Sequence, residues 1–534
     1  MRRTLARRAA IASSIVLAAA APLSALGSSN HATKATASFA NFAISNGKNG
    51  VATGGEPSMG YDPKRNAVLY GSSANPPLEY RLTFHDRAGR TSMQTANVTA
   101  PTQQETLDAI TFTDRRTGRT FESQLLTACS AMAYSDDAGK SWTPSAGCGA
   151  DTLLDHQSVG GGPFHAPITA GMNYPDAVYY CAQNGFNSSC AVSLDGGRTF
   201  GPGVYIVDTP TNKYGDLHGG GCSGLHGHIK VGPDGTAYVP LKGCGGTPTA
   251  NNLTNSEYFG GAPAVSVSTD NGVTWTVHTV PGAHNQDESD NAIDTDKANR
   301  LYMTWEDGTN PSTTTFGTHS AAKAAFSNDE GKTWSKPVDL SSVVGVHNVQ
   351  FPEIVAGDKG RAAVSFIGTN AVGDDQHNGF KGPDGKPAVW HVYVSMTYDG
   401  GKHWTTTDVT PTDAVQRGCV LMLGTSNKTA TDNNLCSQRN MLDFNDMVMD
   451  GQGRVLVAWT DGCVGPCVHN RDIKSHDDVL MITRQSGGKG LIAKYDGKLG
   501  PVKSGTHAYK TSALFLLPLA ATAAAGTRPR RRRT

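Results

Sequence analysis

The chain has 534 residues, enough for a large core, with 62 glycines and only 17% charged residues. The formal net charge is zero, but nine of the 46 basic residues are arginines of the two termini, which leaves 37 against 46 acidic residues, a net of −9, in between. A mildly acidic body excludes general attraction to nucleic acid and gives no long-range steering for an anionic glycan.

Long amphipathic stretches rich in Glu, Lys and Leu are missing, which favours a β-rich, loop-rich protein. The N-terminus opens with four arginines (2, 3, 7, 8) before an apolar run from Ala9 to Ala21, followed by small residues. That order predicts a secretory signal peptide over 1–27, cut near Ala25 or Gly27, with a membrane-anchored N-terminus as the alternative. A linker is expected over 28–50, the main domain over 51–490 and a second linker over 491–510. The segment 511–534 pairs the uncharged "TSALFLLPLAATAAAGT" with "RPRRRRT". An apolar stretch backed by a cationic stop predicts attachment to a membrane, against a disordered tail. It resembles the anchoring tails of bacterial surface proteins but has no clear LPxTG motif. The expected location is extracellular, free or held at the cell surface.

Ten cysteines in an exported chain argue for disulfides. Near neighbours suggest Cys129–Cys148, Cys181–Cys190, Cys222–Cys244, Cys419–Cys436 and Cys463–Cys467. The "CVGPC" stretch has no second CxxC or HxH at a zinc-like spacing.

Along the chain one turn recurs: "SDDAGKSW" at 135, "SLDGGRTF" at 193, "STDNGVTW" at 268, "SNDEGKTW" at 327 and "TYDGGKHW" at 397. The acidic residues Asp137, Asp195, Asp270, Asp329 and Asp399 can accept backbone N–H groups from the turn ahead. The glycine allows a positive φ, and the aromatic residue begins a strand. Upstream of each lies a second hairpin with Asp and Gly at its tip, such as "IKVGPDGTAYVPL" (229–241) and "MVMDGQGRVLVAW" (447–459). One unit therefore reads as four antiparallel strands. Seven units are counted, about 54–97, 103–145, 155–205, 222–280, 287–340, 350–412 and 440–490, the first two degenerate. Radial repetition of four-stranded sheets predicts an all-β fold, a six- or seven-bladed β-propeller. A β-helix or other solenoid is the competing fold, but its period would be shorter.

The five turns fit S/T-x-D-x-G-x-T/S-W/F, with His403 replacing the hydroxyl residue in the fifth. This pattern resembles the Asp box of the sialidase-like BNR propellers, the exo-sialidase superfamily, over nearly all of 50–490. The resemblance implies that these turns are structural and lie on the side away from the ligand. It also implies that Trp142, Phe200, Trp275, Trp334 and Trp404 plug the core. Sialidases of this family use an arginine triad, a Tyr–Glu nucleophile pair and an Asp acid/base. The early F/Y-R-I-P motif is absent, and "GGEPSMGYD" stands in its place. Arg361 and Arg454 fall on the turn side, leaving Arg439 and Arg471 for the ligand face.

Function is expected on the long loops 244–261, 308–320, 368–387 and 461–476 and at the polar starts of the inner strands. Asp290, Glu353 and Asp446 are the candidate catalytic carboxylates for glycoside hydrolysis. Their alternative is to hold waters and neighbouring strand ends. Arg439, Arg471, Glu306, Asp461 and His228 are the candidate substrate contacts. His226 and His228 are two apart and face one way on a strand; they could share a cation with Asp216 or His218, or form a satisfied structural pair. No cofactor is implied, and a structural calcium ion has no support in the sequence. The expected role is binding of a glycan or a cell-surface protein through the loop face, by a monomer that takes no nucleic acid. The alternatives are an exo-acting glycoside hydrolase, a divergent sialidase using the channel-mouth carboxylates, and a structural surface protein with no small ligand.

Overall fold

The computed structural model describes residues 37–499 and 503–504, apart from internal stretches of which 208–221, 309–318 and 421–439 are the longest. The signal-peptide and C-terminal-tail expectations lie outside the described residues. Among the described residues, no helix is long and apolar enough to cross a membrane.

The strands form seven antiparallel blades of four. Six are continuous in sequence: blade 1 over 55–97, blade 2 over 110–147, blade 3 over 155–205, blade 4 over 230–279, blade 5 over 292–339 and blade 6 over 348–408. The count is therefore seven. Blade 7 is assembled from both ends of the chain. Its inner three strands are Asp446–Met449, Val455–Asp461 and Val479–Gly487, and its outermost strand is Ser38–Ala43. That strand pairs antiparallel with Val479–Gly487, from Ser38 opposite Gly487 to Ala43 opposite Met481. It falls in the stretch read from sequence as a linker. Asn41 extends the closure: its Nδ2 donates to Val409 O of blade 6 at 2.8 Å, and its Oδ1 accepts from Thr483 Oγ1 at 2.7 Å. Within 491–510, also read as a linker, the pair Lys503–Ser504 adds a short parallel strand to the edge of blade 1.

The apolar alternation of the second and third strands builds the cores between blades. Trp305, Trp390 and Trp459 are fully buried there. The aromatic residues that end the repeated turns are only partly buried. Trp275 meets Tyr179 of blade 3 edge-on at 6.3 Å, and Trp142 Nε1 donates to Val98 O of blade 1 at 2.7 Å. They wedge in at the rim, and Phe200, Trp275, Trp334 and Trp404 each pack against a buried apolar cluster, as the plug expectation has it.

Each repeated turn is closed by its own side chains. Asp270 Oδ1 accepts from Ser268 Oγ at 2.8 Å, Val273 N at 3.1 Å and Thr274 N at 2.9 Å, while Oδ2 accepts from Thr274 Oγ1 at 2.6 Å. Gly272, at φ 83°, donates its N–H to Ser268 Oγ. The turns at Asp137, Asp195 and Asp329 repeat this set. In the fifth, His403 Nδ1 stands 2.6 Å from Asp399 Oδ2 in place of the hydroxyl. A second set staples the inner hairpins: Asp62, Asp114, Asp296 and Asp450 each accept the N–H two residues on, at 2.8–2.9 Å. The two sets share one face of the disc, where Arg300 beside the blade 5 hairpin donates to Gly400 O in the blade 6 turn at 2.9 Å. The inner strands therefore begin on the opposite face.

Four disulfides join Cys129–Cys148, Cys181–Cys190, Cys222–Cys244 and Cys463–Cys467. Cys419 is also disulfide-bonded, and its expected partner Cys436 lies outside the described residues.

Replacing Asp270 with Ala removes four acceptor contacts from one turn. The expected loss is about 1–2 kcal/mol, read from urea unfolding, with an unchanged near-UV spectrum. A neutral substitution would contradict the stapling role.

Candidate functional site

The inner strands of blades 4 to 7 direct alternate side chains into the central channel. His226, His228 and Lys230 follow at two-residue spacing in blade 4, and Asp290 and Asp294 stand four apart in blade 5. Gly227 sets how closely these two blades approach. A Cβ there would stand 2.0 Å from Asn291 O, so no other residue fits between the two histidines without moving a strand.

A bulge marks the mouth end of several inner strands. In blade 3 the register shifts between Asp155 and Gln157, and His156 between them adopts φ 44°. Glu56 in blade 1 (φ 47°) and Phe351 in blade 6 (φ 55°) sit at equivalent shifts. A left-handed conformation in a non-glycine residue costs on the order of 1 kcal/mol and re-aims the side chain. At His156 it places Nε2 2.7 Å from Asp290 Oδ2, across to blade 5. Lys242 Nζ lies 3.7 Å from the other oxygen of Asp290. The ring of His156 packs edge-on against His226 at 5.5 Å and Phe444 at 6.1 Å, and His228 meets Phe444 at 5.1 Å.

Burial and pairing then separate the charges. Burial acts to raise Asp290, but the charges of His156 and Lys242 outweigh it and hold the carboxyl at about 2, so Asp290 is an anion at neutral pH. Burial pushes His226 down to about 4 and His228 to about 3, with nearby cationic groups adding to the effect, so both imidazoles are neutral. Glu353 moves the other way. Burial, followed by the negative charge of Asp446, raises it well above the usual carboxylate range. Its Oε2 has no hydrogen-bond partner among the described residues. Burial lifts Asp446 to about 6 against the ammonium of Lys230 and the N–H groups of Met59 (2.5 Å) and Met447 (2.6 Å). Lys230 is partly buried, and the carboxylates of Asp446 and Asp294 offset the cost of burying its ammonium and keep it charged.

The structure thus brings Asp290, Glu353 and Asp446 into one channel with His226 and His228. Other sequence candidates have different surroundings. Asp461 Oδ1 accepts from Cys463 N at 2.9 Å and caps the disulfide loop. Glu306 is 1% exposed, inside the second strand of blade 5. Beside it, Asp307 takes Lys323 Nζ at 2.6 Å and Trp305 Nε1 at 2.9 Å. Arg439 and Arg471 lie outside the described residues, as do Asp216 and His218. Arg361 and Arg454 sit on the turn side, bound to Gly490 O and Gln485 O. Among the described residues, no three His, Cys, Asp or Glu side chains are placed to hold a metal ion. Sequence reading missed Lys230, Lys242, Asp294 and Phe444. The signal for Lys230 was present: it continues the two-residue spacing of His226 and His228.

No family model matches the chain, and no curated protein matches it. Among solved structures it is similar to a polysaccharide lyase of family PL25, an ulvan lyase bound to -[GlcA(1-4)Rha3S]-, at 10% identity, with 80% of this chain and 93% of that chain covered and a TM-score of 0.42. It is also similar to the intramolecular trans-sialidase from Ruminococcus gnavus in complex with oseltamivir carboxylate (11% identity, 83% and 96% covered, TM-score 0.34). A protein of unknown function from Dyadobacter fermentans DSM 18053 gives 12% identity, 81% and 94% covered and a TM-score of 0.38. Likeness at this level assigns neither activity nor substrate.

Replacing Lys230 with Met removes the cation that holds down Asp446 and Glu353, so their folded-state values climb. An acid whose folded pKa exceeds its unfolded value loses stability as pH rises from the unfolded value to the folded one. The variant's deficit is expected to be larger at pH 8 than at pH 5, by about 2 kcal/mol in urea unfolding. Equal deficits at the two pH values would contradict the pairing.

Proposed function

We propose that the chain is an exported, glycan-cleaving propeller whose reaction centre is the channel mouth. The observation that carries this reading is Glu353, a carboxyl kept protonated by burial, whose Oε2 has no partner among the described residues. Asp290, near enough to act on Glu353 electrostatically, is kept ionised. Environments that push two carboxyl groups of one site apart assign the acid and the anion. The five repeated turns support the glycan side of the reading through their resemblance to the Asp-box propellers. The disulfides support export.

In the proposed hydrolysis, Glu353 gives its proton to the glycosidic oxygen as the C1–O bond breaks. A water attacks C1 and releases its proton to solvent, while the Asp290 anion stabilises the positive charge that develops at C1. The products are the two sugars, and a proton from solvent restores Glu353. This departs from the sialidase pattern in lacking the early F/Y-R-I-P motif. Arg417 is spent on Cys467 O and Val468 O.

The Glu353→Gln substitution preserves shape and removes the acid. With a panel of aryl glycosides, turnover is expected to fall by about 10²- to 10⁴-fold while thermal stability is kept. A loss below tenfold would overturn the assignment of Glu353. Glycan-array binding with no sugar released by the unaltered protein would instead establish a binding module.

A further inference from the structure

Blades 2 and 3 meet on the turn face through two carboxyl groups. Asp114, in the inner hairpin of blade 2, has hydrogen atoms aimed at both of its oxygens. Its Oδ1 accepts from Arg116 N at 2.9 Å and Thr117 N at 3.4 Å, and its Oδ2 accepts from Thr117 Oγ1 at 2.6 Å and the Tyr174 hydroxyl at 2.5 Å. Asp176 opens the second strand of blade 3 and is fully buried. Neither of its oxygens has a hydrogen-bond donor among the described residues. Its side chain nevertheless lies within hydrogen-bond reach of Asp114. Two ionised carboxylates only accept, so they cannot bond to each other; one proton between them makes the bond.

Other blades neutralise the hairpin acid with a cation. Asp62 in blade 1 accepts from Arg65 Nη1 at 2.8 Å, Asp358 in blade 6 from Lys297 Nζ at 2.6 Å and Asp450 in blade 7 from Arg484 Nη2 at 3.4 Å. Between blades 2 and 3 the cations are turned elsewhere. Arg119 holds both oxygens of Asp136, at 2.8 and 2.7 Å, and its guanidinium covers the Tyr174 ring. Arg116 Nη2 donates to Pro175 O at 2.8 Å, while its Nε stands 3.2 Å from Asp176 Oδ2 without making a hydrogen bond. The Arg116 side chain is half exposed, so water screens its charge. Burial, followed by the negative charge of Asp114, lifts Asp176 to about 7 against the pull of Arg116. Asp114 and Arg116 are the ionisable groups that act on Asp176, with Tyr174 and Arg119 beyond Asp114. No third His, Cys, Asp or Glu among the described residues joins the pair to hold a metal ion.

We propose that one proton, carried by Asp176 and donated to Asp114, latches blade 3 to blade 2, and that its loss loosens this seam. Without the proton, two adjacent anions share a buried seam with one water-screened guanidinium. The folded-state value of Asp176 lies above the ordinary value of about 3.9 for an aspartate, so the stabilisation is complete below that ordinary value and is lost as pH climbs through about 7. The latch is closed in acidic surroundings and opens as pH passes neutrality. It lies on the face of the disc opposite the channel mouth, so it holds whether or not the mouth cleaves glycans.

Hydrogen exchange of the whole chain, corrected for the intrinsic rate, reads the seam at pH 6 and pH 8.5. Protection of the amides in 114–120 and 176–181 is expected to fall by about tenfold over that interval. Amides in 358–363 of blade 6, where Lys297 faces Asp358, are expected to keep theirs. Asp176→Asn puts an amide N–H where the proton was and is expected to cut the fall in both stretches to less than about twofold. Glu79 and Glu122, buried in blades 1 and 2, are also raised, and setting the variant against the unaltered protein isolates Asp176 from them. An undiminished fall in the variant would overturn the proposal. Should the variant fail to fold, the contrast between 176–181 and 358–363 in the unaltered protein decides, and an equal change at both, or none at either, would overturn it. Protection at pH 8.5 that calcium restores and a chelator removes would replace the proton with a bound cation and overturn it as well.

Discussion

Everything at the centre of this molecule depends on closing a ring of seven blades. The last blade is completed by a strand that precedes the first, with Ser38 set against Gly487. Its backbone pairs are each worth about 1 kcal/mol net, and side-chain bonds from Asn41 tie blades 6 and 7 together as well. Closure forces seven inner strands to converge on one axis. Convergence leaves a channel so narrow that glycine is required where strands touch, as at Gly227.

A narrow channel lined by strand ends is a poorly solvated place for ionisable groups, and that fact organises the chemistry. Desolvation is the largest influence on Asp290, Glu353, Asp446, His226 and His228 alike. What separates them is who stands beside each. Asp290 has His156 and Lys242 within 4 Å and stays charged. Glu353 has Asp446 nearby and keeps its proton. Burial outweighs the pull of Asp290 at both histidines of blade 4, so both remain neutral. One fold thus holds an anion, a protonated acid and neutral bases within a single cavity, which is the requirement for proton transfer at neutral pH.

How much of this the sequence carried depends on the range of each interaction. The five turns were legible because every bond that closes them lies within six residues, so spacing and residue type suffice. That spacing narrowed the blade count to six or seven, and the strand pairing makes it seven. The closing strand was not legible: "SFANFA" is short, and its partner is more than 400 residues away. The channel face of blade 4 could be read from two-residue alternation, and it extended one step further than expected, to Lys230. The His156–Asp290 contact could not be read, because it joins two blades through a bulge whose left-handed residue has no local signature. Asp461 and Glu353 illustrate a further limit. Asp461 ends a second strand and Glu353 lies within an inner one, yet one caps a loop and the other has an oxygen with no hydrogen-bond partner among the described residues.

The central claim is that the channel keeps Glu353 protonated beside an ionised Asp290. Infrared difference spectra of the unaltered protein against Glu353→Gln, taken across the range from pH 5 to pH 8, report that state directly. The account predicts a protonated-carboxyl band assigned to Glu353 that persists to neutral pH. A carboxylate band for Glu353 already present at pH 6 would contradict it.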